Sequence, residues 1–222
     1  MAQGLLRSRR RGLDLAVVGL LLASVAIPAQ AAVDPRPPGP KPPPPGTLSP
    51  LRPIEGTTLA TFAPDGWGYR LELPADWLVQ TPAPYTVVVS GPAGTEAYFA
   101  PIAVQNVKAA VPGDSVASAS QALADHVAGM RTRYAGLTVA REEPFRPPAG
   151  AADGDRDTLP TGRQVVLDWS GESGPMRQWV VARPRPRAAV VHLWTYTADR
   201  ALFDALLPEA RAVLDGWSLI GE

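Results

Sequence analysis

Within the stretch Gly68–Trp77, the apolar residues Tyr69, Leu71 and Leu73 alternate with the polar residues Arg70 and Glu72. That period of two predicts a strand with one wet face or edge. Pro74 ends the strand because it has no N–H to give to a ladder. Ala75 and Asp76 turn the chain, and Trp77 returns a large ring to the core. Similar runs flank turn residues on either side. Thr57–Ala63 and Trp67–Leu73 surround Pro64-Asp65-Gly66, and Tyr85–Ser90 and Glu96–Val107 surround Gly91-Pro92-Ala93-Gly94. Both read as hairpins, the second with a bulge or an edge at Pro101.

The period then lengthens. Val116, Leu123, Val127, Met130 and Tyr134 share one stripe of a helix capped by Asp114 or Ser115 and stopped by Gly136. Leu137–Arg141 starts another strand. Arg163–Ser170, Met176–Arg183 and Ala188–Tyr196 form a three-strand meander, turning at Gly171–Gly174 and at Pro184-Arg185-Pro186-Arg187. From Phe203 to Trp217 helical spacing returns, and Pro208 predicts a kink or two short helices meeting there. Trp217–Ile220 is a candidate final strand. The pattern is that of one α+β domain over residues 55–222.

Residues 1–31 have the three parts of a secretory signal peptide. Arg7, Arg9, Arg10 and Arg11 are followed by apolar Leu15–Ile27, too short to span a bilayer, and by Ala29-Gln30-Ala31, a small-x-small cleavage pattern. Ser8-Arg9-Arg10 with Leu13 half-matches a twin-arginine signal, but Gly12 and Asp14 depart from it, so the export route stays open. Residues 32–54 read as a proline-rich linker. Ten of the 26 prolines fall within Asp34–Pro53, which favours an extended polyproline II spacer. The expected product is exported, periplasmic or extracellular, and soluble once the signal is cleaved near Ala32.

Composition narrows the function without naming it. Whole-chain net charge is zero; with four arginines and one aspartate in residues 1–31, the remainder carries 17 basic and 20 acidic side chains, a net −3. A nucleic-acid binder needs a concentrated basic field, and none is visible. The absence of cysteine excludes disulfides, thiolate zinc sites and a lipid anchor on an N-terminal cysteine. Asp153, Asp155 and Asp157 alternate as in a calcium loop. However, Thr158 and Gln164 stand where such a loop uses glycine and glutamate, so the stretch reads as a solvated acidic turn. No metal or cofactor is implied.

Gly68-Tyr69…Pro74-Ala75-Asp76-Trp77 near the start of the domain and Leu214-Asp215-Gly216-Trp217-Ser218 at its end, with the order of elements between them, resemble the PsbP/DcrB-like superfamily. The resemblance spans about residues 57–221 and rests on packing and turn motifs. It implies an antiparallel sheet sandwiched between helices and a non-catalytic exported accessory or assembly module. No metal or partner site carries over residue by residue.

A catalytic reading needs a base, and only His126 and His192 are present. Neither lies beside a nucleophile elbow or a zinc-protease run, and no phosphate-binding glycine pattern occurs. Glu142 and Glu143 are neighbours on opposite sides of a strand, a poor catalytic pair. The main expectation is an envelope binding module with a protein or glycan partner; the alternative is a periplasmic hydrolase whose site has no recognisable motif. For the binding face, a two-residue Arg185-Pro186 turn and a Gly171–Gly174 loop align three cross-strand rows: Asp168–Arg177–Trp194, Val166–Trp179–His192 and Gln164–Val181–Val190. Asp168, Arg177, Trp179, His192 and Trp194 are thus candidate groove residues. A second helix laid over this face would instead make Asp168–Arg177 a structural ion pair. The opposite face, from Val165, Leu167 and Trp169 to Val191 and Leu193, is the expected helix-covered core.

Overall fold

A computed structural model describes residues 51–110, 115–146, 161–186 and 188–220. The expected signal peptide, most of the proline-rich linker, Asp114 and the Asp153–Asp157 loop lie outside the described residues.

The opening strand folds as the alternation requires. β3 (Tyr69–Pro74) buries Tyr69, Leu71 and Leu73 completely or nearly so while Arg70 is exposed. It pairs antiparallel with β2 (Leu59–Phe62), which pairs in turn with β1 (Arg52–Pro53). β1 therefore lies within the stretch expected to be linker, because residues 52 and 53 complete the edge of this small sheet. On the other side of β3 lies β11 (Ser218–Leu219), giving the order β1-β2-β3-β11.

The larger sheet has seven strands. The sequence pattern did not predict β4 (Leu78–Ala83). The sheet accommodates Pro82 because β4 is an edge strand and its register shifts between Gln80 and Ala83. β5 (Thr86–Ser90) and β6 (Ile102–Lys108) form the second hairpin. Glu96–Phe99, expected as strand, is a turn of 3-10 helix, and the strand starts only after Pro101. β7 (Thr138–Phe145), β8 (Gly162–Gly171), β9 (Gly174–Pro184) and β10 (Val190–Asp199) complete the order β4-β5-β6-β10-β9-β8-β7.

The meander register is half as expected. Asp168 faces Arg177 and Val166 faces Trp179, as the short Gly171–Gly174 connection dictates. The second hairpin differs: Trp179 faces Tyr196, Val181 faces Trp194, and Arg183 faces His192. The connection is not a two-residue turn. Arg185 N–H donates to the Val190 carbonyl at 2.9 Å, which makes the loop two residues longer. Each partner therefore moves by an even number of positions, which preserves the faces but changes every cross-strand neighbour.

α1 (Ser115–Arg133) covers one face, packing Ala119, Ala122, Leu123, Val127 and Met130 on Val165, Leu167, Val180, Val191 and Leu193. Val116, expected in the buried stripe, is exposed, and the two alanines take its place. Gly136 ends this unit at φ +83°, a backbone angle that favours glycine. The opposite face is covered by α2 (Arg200–Asp215) and the small sheet. α2 is one helix with Pro208 inside it, not two short ones. Asp204, whose carbonyl loses its donor to the proline ring, is exposed, and five buried apolar residues from Phe203 to Leu214 hold the helix in place. Among the described residues, no helix is long and apolar enough to cross a membrane.

Candidate functional site

The Pro74–Trp77 turn is set by backbone: Trp77 N–H donates to the Pro74 carbonyl at 3.1 Å, and Ala75 N–H to Thr58 at 3.0 Å. Trp77 is thereby held inward and Asp76 outward. At the end of α2, Gly216 closes the last turn with an N–H bond to Ala212 at 3.0 Å, and its carbonyl accepts from Glu72 N–H at 3.1 Å. A β-carbon on Gly216 would stand 2.9 Å from the Glu72 carbonyl oxygen, so only glycine permits this approach of helix end to strand. A third wall comes from the turn after β5, where Gly91 N–H bonds Ala97 at 3.1 Å and Thr95 Oγ1 donates to Pro92 at 2.8 Å.

Between these three walls lies a half-open cleft of about 660 Å³. That is the size of a small-ligand or side-chain pocket. Leu59, Leu73, Trp77 and Val213 give it an apolar lining, and Glu72, Asp76, Glu209 and Asp215 give it four carboxylates, with no lysine or arginine among the lining residues. Arg70 reaches Glu72 at 3.3 Å from outside, an exposed and therefore weak pair. Burial raises the Asp215 carboxyl above its ordinary value, and neighbouring Arg211 partly offsets this. Both stretches that carried the sequence resemblance meet here: Pro74, Asp76 and Trp77 from one, Asp215 and Gly216 from the other.

The residues proposed from the sequence lie elsewhere, and they do not form an open groove. Trp179, Trp194 and His192 are buried beneath α2 and the small sheet, with 4%, 0% and 0% of their surfaces exposed. Trp179 and Trp194 do meet, edge to face at 5.3 Å, and Trp179 Nε1 donates to Gln164 Oε1 at 2.8 Å. Asp168 and Arg177 form a two-pronged ion pair (2.7 and 2.9 Å) joined by Arg200 at 3.4 Å. It holds the Asp168 carboxyl below the ordinary carboxylate range. Arg177 also lies over the Phe203 ring, so the pair fastens α2 to β8 and β9.

His192 is separated from this group by the corrected register. Its Nδ1 bonds Asn106 Oδ1 at 2.7 Å, so that nitrogen carries the proton, and Asn106 Nδ2 donates to the Trp67 carbonyl at 2.9 Å. Burial first, then Arg185 and Arg183, push the imidazole down to about 3. His126 is the counterpart on α1, facing the sheet. Its Nε2 donates to Gln178 Oε1 at 2.8 Å, and Gln178 passes the chain on to Thr197 at 2.8 Å. Among the described residues, no group of three or more acidic or histidine side chains is placed to hold a metal ion.

No family model matches the sequence, and no curated protein matches it. Solved structures do match in shape. The Ran-binding protein Mog1p of Saccharomyces cerevisiae superposes with TM-score 0.51 at 9% identity, over 73% of this chain and 96% of that one. Cyanobacterial PsbP (CyanoP) from Synechocystis sp. superposes with TM-score 0.50 at 12% identity, over 74% of this chain and 95% of that one. The fold is therefore PsbP/Mog1-like, an α+β arrangement of antiparallel sheets and two helices. At these identities the likeness is one of fold alone.

Proposed function

We propose that this chain is an exported, non-catalytic binding or assembly module of the cell envelope, of the PsbP/DcrB-like kind, which holds a protein partner at the acidic-rimmed cleft. The cleft is the observation that carries the reading. It has a ligand-sized volume and an apolar floor, and its walls are fixed by backbone hydrogen bonds rather than by mobile side chains. Export is supported by the tripartite pattern of residues 1–31. Each histidine is hydrogen-bonded to a carboxamide, His192 in the core and half-buried His126 between α1 and the sheet, an arrangement suited to structure rather than to proton transfer.

A photo-crosslinking amino acid placed at Asp76 or Ala212, in cells making the full chain, tests this. A discrete protein adduct is expected from both positions and not from Glu142, at the far edge of the larger sheet. A glycan partner would leave no protein adduct. Adducts of equal yield from Glu142 would remove the cleft as the site.

A further inference from the structure

We infer that the occupant of the cleft is a basic segment of a partner protein, a lysine or arginine flanked by apolar residues. This inference names the ligand of the site proposed above and rests on that reading. Three features carry it.

The first is uncompensated charge. Of the four carboxylates around the cleft, Asp76 and Glu209 make no ion pair or side-chain hydrogen bond among the described residues. The two arginines nearby, Arg70 and Arg211, act on Glu72 and Asp215 and do not line the cleft.

The second is the helix terminus. The last turn of α2 contributes Ala212, Val213 and Asp215 to the wall and contains no basic residue. The partial negative charge of a helix C-terminus, normally balanced by lysine or arginine, here adds to that of Asp215. Both effects favour a cation brought from outside.

The third feature concerns what carries that cation. A lysine or arginine has a long methylene stem, which suits the apolar lining of Leu73, Trp77 and Val213 while its head reaches the carboxylates. The turn that forms one wall also presents Tyr98 and Phe99, packed edge to face at 5.2 Å and 40% and 62% exposed. Exposed paired aromatics beside a charged cleft suit a polypeptide extending past it, more than a free amine that would end inside it.

The test uses the mature protein and three synthetic decapeptides alternating leucine with lysine, norleucine or glutamate, followed by calorimetry and backbone NMR shifts. The lysine peptide should bind, shift the resonances of Glu72–Trp77 and Ala212–Gly216, and weaken as salt is raised. Replacing Asp76→Asn together with Glu209→Gln should weaken it about three- to tenfold, and Glu142→Gln should leave it unchanged. Both cleft positions are exposed, and an unchanged melting temperature verifies that the double variant is folded. Equal binding of the norleucine peptide overturns the cation while leaving the cleft as a binding site. Binding of spermine as tight as that of the lysine peptide overturns the polypeptide. Preference for the glutamate peptide overturns the charge argument, as does unchanged affinity in the double variant. If no peptide binds yet crosslinks form from Asp76, the inference fails and the binding reading stands; if neither occurs, both fail.

Discussion

The two faces of the seven-stranded sheet come from the same alternating strands but are filled by different chemistry. Under α1, Leu167, Val180, Ala182 and Val191 meet Ala119, Ala122 and Leu123, a mostly aliphatic interface that holds one stacked ring pair, Tyr134 on Trp169. Under α2 and the small sheet, Trp179, Trp194 and Tyr196 meet Trp67, Tyr69, Phe203 and Trp217. A helix rich in alanine and serine fills its contact with short side chains. The opposite face is covered by both a helix and a second sheet, and rings fill the space between them. The aromatic side brings polar tips into the core with it. Tyr196 Oη donates to the Phe203 carbonyl at 3.0 Å, but Tyr69 Oη, Trp194 Nε1, Trp217 Nε1 and His192 Nε2 have no hydrogen-bond partner among the described residues. Both faces carry a histidine that burial makes harder to protonate, His126 on the α1 side and His192 on the other. The stronger depression of His192 and the unpartnered polar tips make the aromatic face the more dependent on protonation state.

Removing the largest ring should hurt most. Trp194→Ala is expected to cost about 3–5 kcal/mol in urea unfolding, against about 2–5 for Leu167→Ala on the other face. A loss under about 1 kcal/mol at Trp194 would break the contrast. The next effect is acid sensitivity. Because the folded His192 pKa lies near 3, below the ordinary value near 6.5, stability should be level above that ordinary value. It should then fall by about 1.4 kcal/mol per pH unit as the unfolded chain takes up its proton, until the folded pKa is reached. An NMR titration in which the His192 ring protonates near its ordinary value would remove this difference. Burial lowers His126 as well, so it adds to the same loss.

Asp168→Asn should cost less, about 1–2 kcal/mol, because the pair with Arg177 lies at the margin of the aromatic face. The sign with pH follows from its lowered pKa: the contribution is complete above the ordinary carboxylate range and lost as pH falls below it. Thermal melts of the variant at neutral and acid pH should converge with the wild type on acidification. The smallest change is a gain. A β-carbon at Gly129 of α1 meets nothing within 4 Å, so Gly129→Ala should stabilise the aliphatic side by about 0.5–1 kcal/mol, read from the melting temperature.

The division between faces was legible in the sequence, because alternation together with the short Gly171–Gly174 connection assigns Leu167 to one side and Trp179 to the other. The neighbours within the aromatic face were not. They depend on how many residues turn at Arg185–Val190, and two prolines there resemble a tight hairpin while the backbone makes a longer loop. β4 was hidden for a related reason, since a proline that an edge strand tolerates looks like a terminator. The cleft was legible only in fragments. Pro74–Trp77 and Leu214–Ser218 stood out as motifs, but nothing local says that Gly216 lies against Glu72, or that Glu209 and Thr95 complete the walls. Sites assembled from three distant segments leave no spacing to read.

Tyr69 pairs with Leu219 and Arg70 with Ser218, which has a consequence for synthesis. β3 leaves the ribosome long before β11, which closes its edge, an interval on the order of ten seconds at ordinary elongation rates. Until then Trp217 cannot take its place beside His192, and the aromatic core lacks one wall. The nascent chain therefore presents an open strand edge and an unfinished core through most of its translation, and that is the period in which a chaperone can engage it.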